Sequence, residues 1–167
     1  DAVNRLVELR DGEGNSTTYT YDEANRLLSI TNPEGNRKRY TYNESGKVIE
    51  IEDFDGGRIS FTYNRRGQVE TKRDKEGREW KRTYDGQGNL VEELSPTKAV
   101  YRWEYDEHNQ LIRKEEEAEG VRRVVEYAYD LAGNVKEKKT GDGEEILEKE
   151  SYTYDELHRI KTMTNLS

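Results

Sequence analysis

The 167-residue chain contains no cysteine. That excludes a disulfide framework, a thiolate nucleophile and any Cys-based zinc or iron–sulfur site. No apolar run exceeds two or three residues, so no segment is long enough to cross a membrane as a helix. The first residues, Asp1-Ala-Val-Asn4-Arg5, are not a signal peptide, and an export signal is expected to lie outside this chain. Aliphatic side chains are scarce as well. Leu, Ile, Val and Phe number 30, about 18% of the chain, against 38% charged residues and a formal net charge of -8. This composition sits just inside the range of disordered chains.

Twelve Tyr and two Trp oppose that conclusion. Aromatic rings bring a large buriable area per residue, and here they recur at fixed intervals. The length is two to three times that at which one core becomes marginal, so a single domain or a single repeat array is expected. Charge is unevenly spread. Residues 1–83 carry 16 basic and 16 acidic side chains, whereas residues 84–167 carry 12 and 20 and supply the whole net charge. Such a balance argues against a duplex-binding surface.

The repeat appears on aligning Tyr21-Asp22, Tyr42-Asn43, Tyr63-Asn64, Tyr84-Asp85, Tyr105-Asp106, Tyr129-Asp130 and Tyr154-Asp155, which follow one another at intervals of 21, 21, 21, 21, 24 and 25. An eighth copy, cut at its front, matches Asp1-Ala-Val-Asn4-Arg5-Leu6 to Asp22-Glu-Ala-Asn25-Arg26-Leu27. A single array over residues 1–167 is therefore expected. Each unit reads as two strands and two turns. Three residues after the first-turn Asp or Asn stands Asn4, Asn25, Gly46, Gly67, Gly88, Asn109, Gly133 or His158. Those residue types tolerate positive φ, and an Asx side chain caps the turn that they close. The second turn repeats the scheme at Asp11 to Gly14, Asn32 to Gly35, Asp53 to Gly56 and Asp74 to Gly77. Ser95-Pro96-Thr97-Lys98 departs from it, and the two longer units shift the turn to Ala118-Glu119-Gly120 and Gly141-Asp142-Gly143. Their extra residues are expected in the hairpin loops.

A period of two assigns the faces. Leu6, Leu27, Val48, Val69, Leu90, Leu111, Val135 and Ile160 form an aliphatic column expected to be a buried ladder. Tyr19, Tyr40, Phe61, Trp103, Tyr127 and Tyr152 lie two residues before a Tyr-Asp tyrosine and share its face. Arg82 breaks that column, and Trp80, two positions earlier, is expected to fill the gap. The opposite face is polar, with Thr18, Thr20, Arg37, Arg39, Thr41, Ser60, Thr62, Lys81, Thr83, Arg102 and Glu104. The expected fold is thus all-β: seven to eight stacked hairpins, roughly 14 to 16 strands, in one long, twisted and coiled antiparallel sheet on the order of 70 Å across at about 4.8 Å per strand. Its end strands are expected to be uncovered, which makes self-association through the edges an expectation.

A unit of Tyr-Asp-x-x-Gly-Asn/Arg/Lys-Leu/Val about 21 residues long resembles the YD repeat of the RHS family. Tyr84-Asp85-Gly-Gln-Gly88-Asn89-Leu90 and Tyr129-Asp130-Leu-Ala-Gly133-Asn134-Val135 stand closest to its pattern. The resemblance implies an open segment of a long β-strip that spirals into a hollow shell. It also implies large secreted or cell-surface proteins, bacterial in the case of polymorphic toxins and Tc toxins, where the shell encloses a toxin, and adhesive in the teneurins. The partners implied are the other parts of such a parent protein. An Asp-Pro-x-Gly motif, expected at the self-cleaving end of the bacterial cores, is missing, since the only prolines are Pro33 and Pro96. Neither an autoprotease nor a toxin tip is assigned.

The repeat is accordingly read as structural through Tyr19, Tyr21, Asp22, Tyr40, Tyr42, Gly46, Phe61, Tyr63, Gly67, Tyr84, Asp85, Gly88, Trp103, Tyr105, Tyr127, Tyr129, Gly133, Tyr152 and Tyr154. No catalytic residue, metal ligand or cofactor is assigned. His108 and His158, the only histidines, fall in turns, and no nucleophile elbow accompanies them. A turn Asp that recurs in every unit is a cap, not half of a catalytic pair. Asp53-Phe-Asp55-Gly56-Gly57 and Gly141-Asp142-Gly143-Glu144-Glu145 have the oxygens for a hard cation but match no EF-hand loop or calcium nonapeptide. The acidic stretches Glu115-Glu116-Glu117-Ala118-Glu119 and Glu144-Glu145 with Glu148 and Glu150 read as solvated loop, with an acidic docking patch as the alternative. The stretch from Arg65-Arg66 to Lys72-Arg73-Asp-Lys75 is a candidate for acidic glycans, though acidic neighbours interleave with it. Trp80, Trp103 and Tyr101 form a possible glycan platform, a role that the resemblance also implies; nucleic acid fits a net charge of -8 less well.

Overall fold

The structure, a computed structural model, describes residues 1–166. It is all-β, and within each of its two units the antiparallel strands neighbour one another in chain order. The chain divides into two compact units, Asp1–Glu79 and Trp80–Ser167. The first holds β1 (Glu8–Arg10), β2 (Ser16–Tyr21), β3 (Leu27–Thr31), β4 (Arg37–Tyr42), β5 (Val48–Glu52), β6 (Arg58–Tyr63) and β7 (Val69–Arg73). Next come β8 (Glu79–Tyr84), whose first residue closes the first unit, and β9 (Leu90–Leu94), β10 (Val100–Tyr105), β11 (Leu111–Ala118), β12 (Val121–Tyr129), β13 (Val135–Gly141), β14 (Ile146–Tyr154) and β15 (Ile160–Leu166). These fifteen strands match the number read from the repeats.

Every Tyr-Asp turn has the same construction. The Asp22 N–H donates to the Arg26 carbonyl (3.0 Å), and the Asn25 N–H donates back to the Asp22 carbonyl (3.1 Å). This is a three-residue hairpin loop: a type I turn completed by one left-handed residue. That left-handed residue is Asn4, Asn25, Asn109 or His158 (φ 59° to 63°), or Gly46, Gly67, Gly88 or Gly133 (φ 76° to 103°). The second turns use Gly14, Gly35, Gly56 and Gly77 in the same way. Ser95-Pro96-Thr97-Lys98, set apart by its composition, keeps the geometry with Lys98 at φ 66°. There the Ser95 hydroxyl accepts the Ala99 N–H (3.1 Å), as the Asp carboxylate does in other turns.

Just beyond each Tyr-Asp turn the register slips by one residue. Thr20 faces Ser29 while Tyr21 faces Leu27, leaving Leu28 as a bulge. The same slip recurs opposite Tyr42, Tyr63, Tyr84, Tyr105, Tyr129 and Tyr154. A bulge inserts one residue and bends the strand. Here it puts Leu27 beside Tyr21 and Ile30 beside Tyr19, so two residues three apart serve one face, which a strict period of two would separate.

Two expectations need correction. The aliphatic column is not buried: Leu27, Val48, Val69, Leu90, Leu111 and Val135 are half-buried, and Leu6 and Ile160 are 51% and 61% exposed. Among the described residues the only buried apolar side chains are Ala99 and Val124. A single layer explains this, because a ladder residue is shielded by neighbours within the sheet but meets no opposing layer. The extra residues of the two longer units are likewise not in loops. They lengthen the strands: β11, β12 and β14 run 8, 9 and 9 residues, against 5 or 6 in β2 to β10. The β11–β12 loop shrinks to Glu119 (φ 53°) and Gly120 (φ 79°), both left-handed as a type I′ hairpin turn demands. The Val121-Arg-Arg-Val-Val stretch, rich in β-branched side chains, favours strand over loop.

Candidate functional site

The chemistry that recurs along the chain lies at the turn, where one contact caps the turn itself and three more reach the neighbouring hairpin. Asp22 Oδ1 accepts the Arg26 N–H (2.9 Å) and Oδ2 accepts the Arg26 guanidinium (2.6 Å). Asp130 instead binds the backbone N–H groups of Ala132 and Asn134 and the Asn134 amide. Hydrogen bonds to an ionised carboxylate lower its pKa. The Arg26 N–H, ahead of its guanidinium, holds the Asp22 carboxyl below the usual range, and the Asn134 amide does the same for Asp130. Partial desolvation pushes Asp74 and Asp85 upward, but bonds from Arg78 and Asn89 outweigh it and leave both lowered.

The tyrosine of Tyr-Asp supplies the second contact. The Tyr21, Tyr42, Tyr63, Tyr129 and Tyr154 hydroxyls donate to the carbonyls of Leu6, Leu27, Val48, Leu111 and Val135 at 2.6 to 2.8 Å. Each acceptor is the ladder residue of the preceding unit. Phenylalanine would fill the same space without this bond, which gives the constant tyrosine a reason that periodicity alone does not supply. Burial also pushes the Tyr42 and Tyr129 phenols up.

A side chain that follows the left-handed residue makes the third and fourth contacts. The guanidinium of Arg5 stacks 4.9 Å from the Tyr21 ring, Arg26 lies 4.8 Å from Tyr42, and the Lys47 ammonium lies 5.5 Å from Tyr63. Arg5 also reaches the next turn, donating to the Asp22 carbonyl (3.2 Å) and to Asn25 Oδ1 (2.7 Å). Further along, Asn89 donates to Asn109 Oδ1 (3.0 Å). His158 Nδ1 lies 3.1 Å from Asn134 Oδ1.

The polar face carries ion pairs instead. In the second unit they converge on Glu115, whose carboxylate is bonded by Arg102 (3.1 Å), Arg113 (3.3 Å) and Arg122 (2.9 Å) and is 11% exposed. The Arg122 bond leads in keeping Glu115 ionised against the cost of its burial. Reading residues 115–119 as solvated loop therefore fails: Glu115 to Ala118 lie on β11, and Glu115 is among the most buried polar groups of the chain. No local signal in the sequence marks this, because Arg102 and Arg122 reach Glu115 from the two strands that pair with its own.

The remaining candidates are dispersed. The His108 N–H caps onto Asp106 Oδ1 (2.9 Å), in the turn before that of Asp130 and two before that of His158. Asp53 and Asp55, read as possible cation ligands, face Lys38 (3.5 Å) and Lys75 (3.3 Å). Among the described residues no three His, Asp or Glu side chains are grouped to hold a metal ion. Arg73 is paired with Glu79 (2.8 Å), so the basic stretch is partly neutralised. Of the aromatic trio, Tyr101 and Trp103 stack on β10 with centroids 6.2 Å apart and planes 23° apart, both half-buried. Trp80 stands on β8, also half-buried, and Arg82 of the same strand is paired with Glu93 (2.6 Å).

With fold and joint in view, the class is defined: an antiparallel strip of hairpin repeats joined by Tyr, Asp and a left-handed residue. The sequence model of the RHS Repeat family matches residues 1–37, 24–58, 63–100 and 84–122, together more than half of the chain. The chain belongs to the RHS repeat family. Among solved structures it resembles the Photorhabdus luminescens Tc holotoxin pore, in a TccC3 variant, with a TM-score of 0.73 and 17% identity over 93% of this chain and 9% of that one. It also resembles TcdB2-TccC3 without its hypervariable C-terminal region, with a TM-score of 0.59 and 15% identity over 99% of this chain and 11% of that one. The fold is thus shared with those toxins, and the chain spans about a tenth of their length. No curated protein matches the sequence. Among the described residues no helix is long and apolar enough to cross a membrane.

Proposed function

We propose that the chain is a non-catalytic wall: one array over residues 1–167, forming part of an RHS-type shell that encloses or presents a toxin or adhesive domain of a larger secreted or surface protein, bacterial in origin. The observation that carries this reading is the joint. A tyrosine hydroxyl bonded to the previous ladder carbonyl, repeated at Tyr21, Tyr42, Tyr63, Tyr129 and Tyr154, ties these hairpins to their predecessors. A binding or catalytic site needs one distinctive constellation, whereas a wall needs one joint many times over. The residues that carry it are the Tyr-Asp pairs and the left-handed turn residues, with the other parts of the parent protein as partners and no cofactor required. Intact mass spectrometry of the native gene product tests this. The expected mass is many times the 19.6 kDa of this chain, with a segment that resists protease until the RHS strip is cleaved. A mass near 19.6 kDa overturns enclosure.

The Tyr101–Trp103 stack favours a second reading, a sugar-binding or adhesive face. Acrylamide quenching of Trp fluorescence separates the two. Half-protected tryptophans without response to glycans support the wall, and a glycan-dependent emission shift supports the platform.

A further inference from the structure

The two long hairpins of the second unit carry more than their lengthening requires. Residues 115–123 and 141–148 hold eight carboxylates against two arginines, while the rest of Trp80–Ser167 holds twelve of each sign. The unit's entire charge excess thus sits on these ends. Ion pairs neutralise carboxylates elsewhere, but among the described residues Glu119, Glu144, Glu145 and Glu148 take part in none.

The same region has a small recess in which two aliphatic side chains stand among polar ones. Pairing registers align Glu115 with Val124, Val124 with Gly141 and Gly141 with Ile146, one row across β11 to β14. Gly141 contributes no side chain, and the Glu145 carbonyl oxygen stands where its Cβ would be. A recess of about 70 Å³ remains, lined by the aliphatic Val124 and Ile146 and by Glu126, Lys139, Glu144 and Glu145 among others, with Lys139 already paired to Glu137 (2.9 Å). Val124 is buried at 4% exposure, whereas Ile146 is 60% exposed. A one-residue slip at this end leaves Leu147 as a bulge, 63% exposed. The floor is held in place: Arg122, anchored by Glu115 at 2.9 Å, packs against Gly143, where a Cβ would lie 2.8 Å from its guanidinium. Exposed aliphatics rimmed by unpaired carboxylates on a braced scaffold make an interaction surface.

We propose that these hairpin ends dock a basic, extended segment of a partner protein. One aliphatic side chain of that segment enters the recess beside Val124 and Ile146, and its Lys or Arg side chains lie against Glu144 and Glu145. Charge complementarity selects this occupant, because a neutral or acidic segment would leave the carboxylates facing no counter-charge.

The test uses the full chain and a fluorescein-labelled nonapeptide of alternating lysine and leucine, read by fluorescence anisotropy. Binding with a Kd on the order of 10 μM is expected, weakened about tenfold by E144Q/E145Q and about fivefold by I146S. All three positions are exposed, and circular dichroism checks that both variants keep the strand signal. A glutamate–leucine peptide binding equally well overturns the proposal. So does wild-type affinity in both variants, which would place the peptide on a sheet edge. Concentration-dependent dimers that I146S abolishes without peptide would overturn it in favour of a second copy of the chain.

Discussion

The two units build the same joint and use it differently. Asp1–Glu79 keeps a strict 21-residue period, five- and six-residue strands from β2 onward, and cations over its tyrosines: Arg5, Arg26 and Lys47. In Trp80–Ser167 the equivalent positions before Tyr105, Tyr129 and Tyr154 are Asn89, Gln110 and Asn134, and the contact from turn to turn passes to amides. Its polar face gains the Glu115 cluster, its strands lengthen, and it holds Ala99 and Val124, the buried apolar side chains among the described residues. The comparison teaches that the joint fixes how hairpins stack but not how long they are. Added residues at the far end from the Tyr-Asp turn extend the ladder, and the turn is rebuilt beyond them.

Acid should bring the largest change, because it acts on all carboxylate caps together. The folded-state pKa values of Asp11, Asp22, Asp74, Asp85, Asp130, Asp142 and Asp155 are lowered. A lowered group contributes stability that is present above its unfolded pKa and lost as pH falls through the folded one. Urea midpoints should therefore hold down to about pH 4 and fall below it. The triple variant D85N/D130N/D155N should flatten that decline; an unaltered acid profile would refute the capping account.

Glu115→Ala should cost about 3 kcal/mol, because three arginines lose their shared counter-ion in a half-buried setting. Glu52→Ala in the first unit, whose partner Arg39 is 51% exposed, should cost less than about 1 kcal/mol. Equal losses in urea melts would erase the distinction between the units. Gly141→Ala should cost about 2 kcal/mol, since a Cβ must displace the Glu145 carbonyl. Tyr42→Phe should cost about 1 kcal/mol through the lost bond to Leu27. Arg26→Met, which removes the cation above Tyr42 and its bond to Asp22, should give the smallest loss, about 0.5 kcal/mol at neutral pH and less in high salt.

Much of this was legible in the residues themselves. Spacing alone placed the Tyr-Asp turns, the left-handed positions from Asn4 to His158 and the strand count, because turn chemistry is local: positive φ and an Asx cap involve residues close together in the chain. Other features depend on what stands across the sheet. The bulge at Leu28 and its counterparts appears only when Tyr21 is set opposite Leu27, and the Tyr42 hydroxyl finds its acceptor on Leu27, a full strand away. Burial was misjudged for the same reason, since an aliphatic column reads identically whether or not a second layer covers it. So were residues 115–119: a run of carboxylates looks solvated until Arg102 and Arg122 arrive from neighbouring strands. Local conformation was decided by neighbours in the chain, whereas register, strand length and the ionic centre on Glu115 were decided by partners that only pairing brings within a few ångströms.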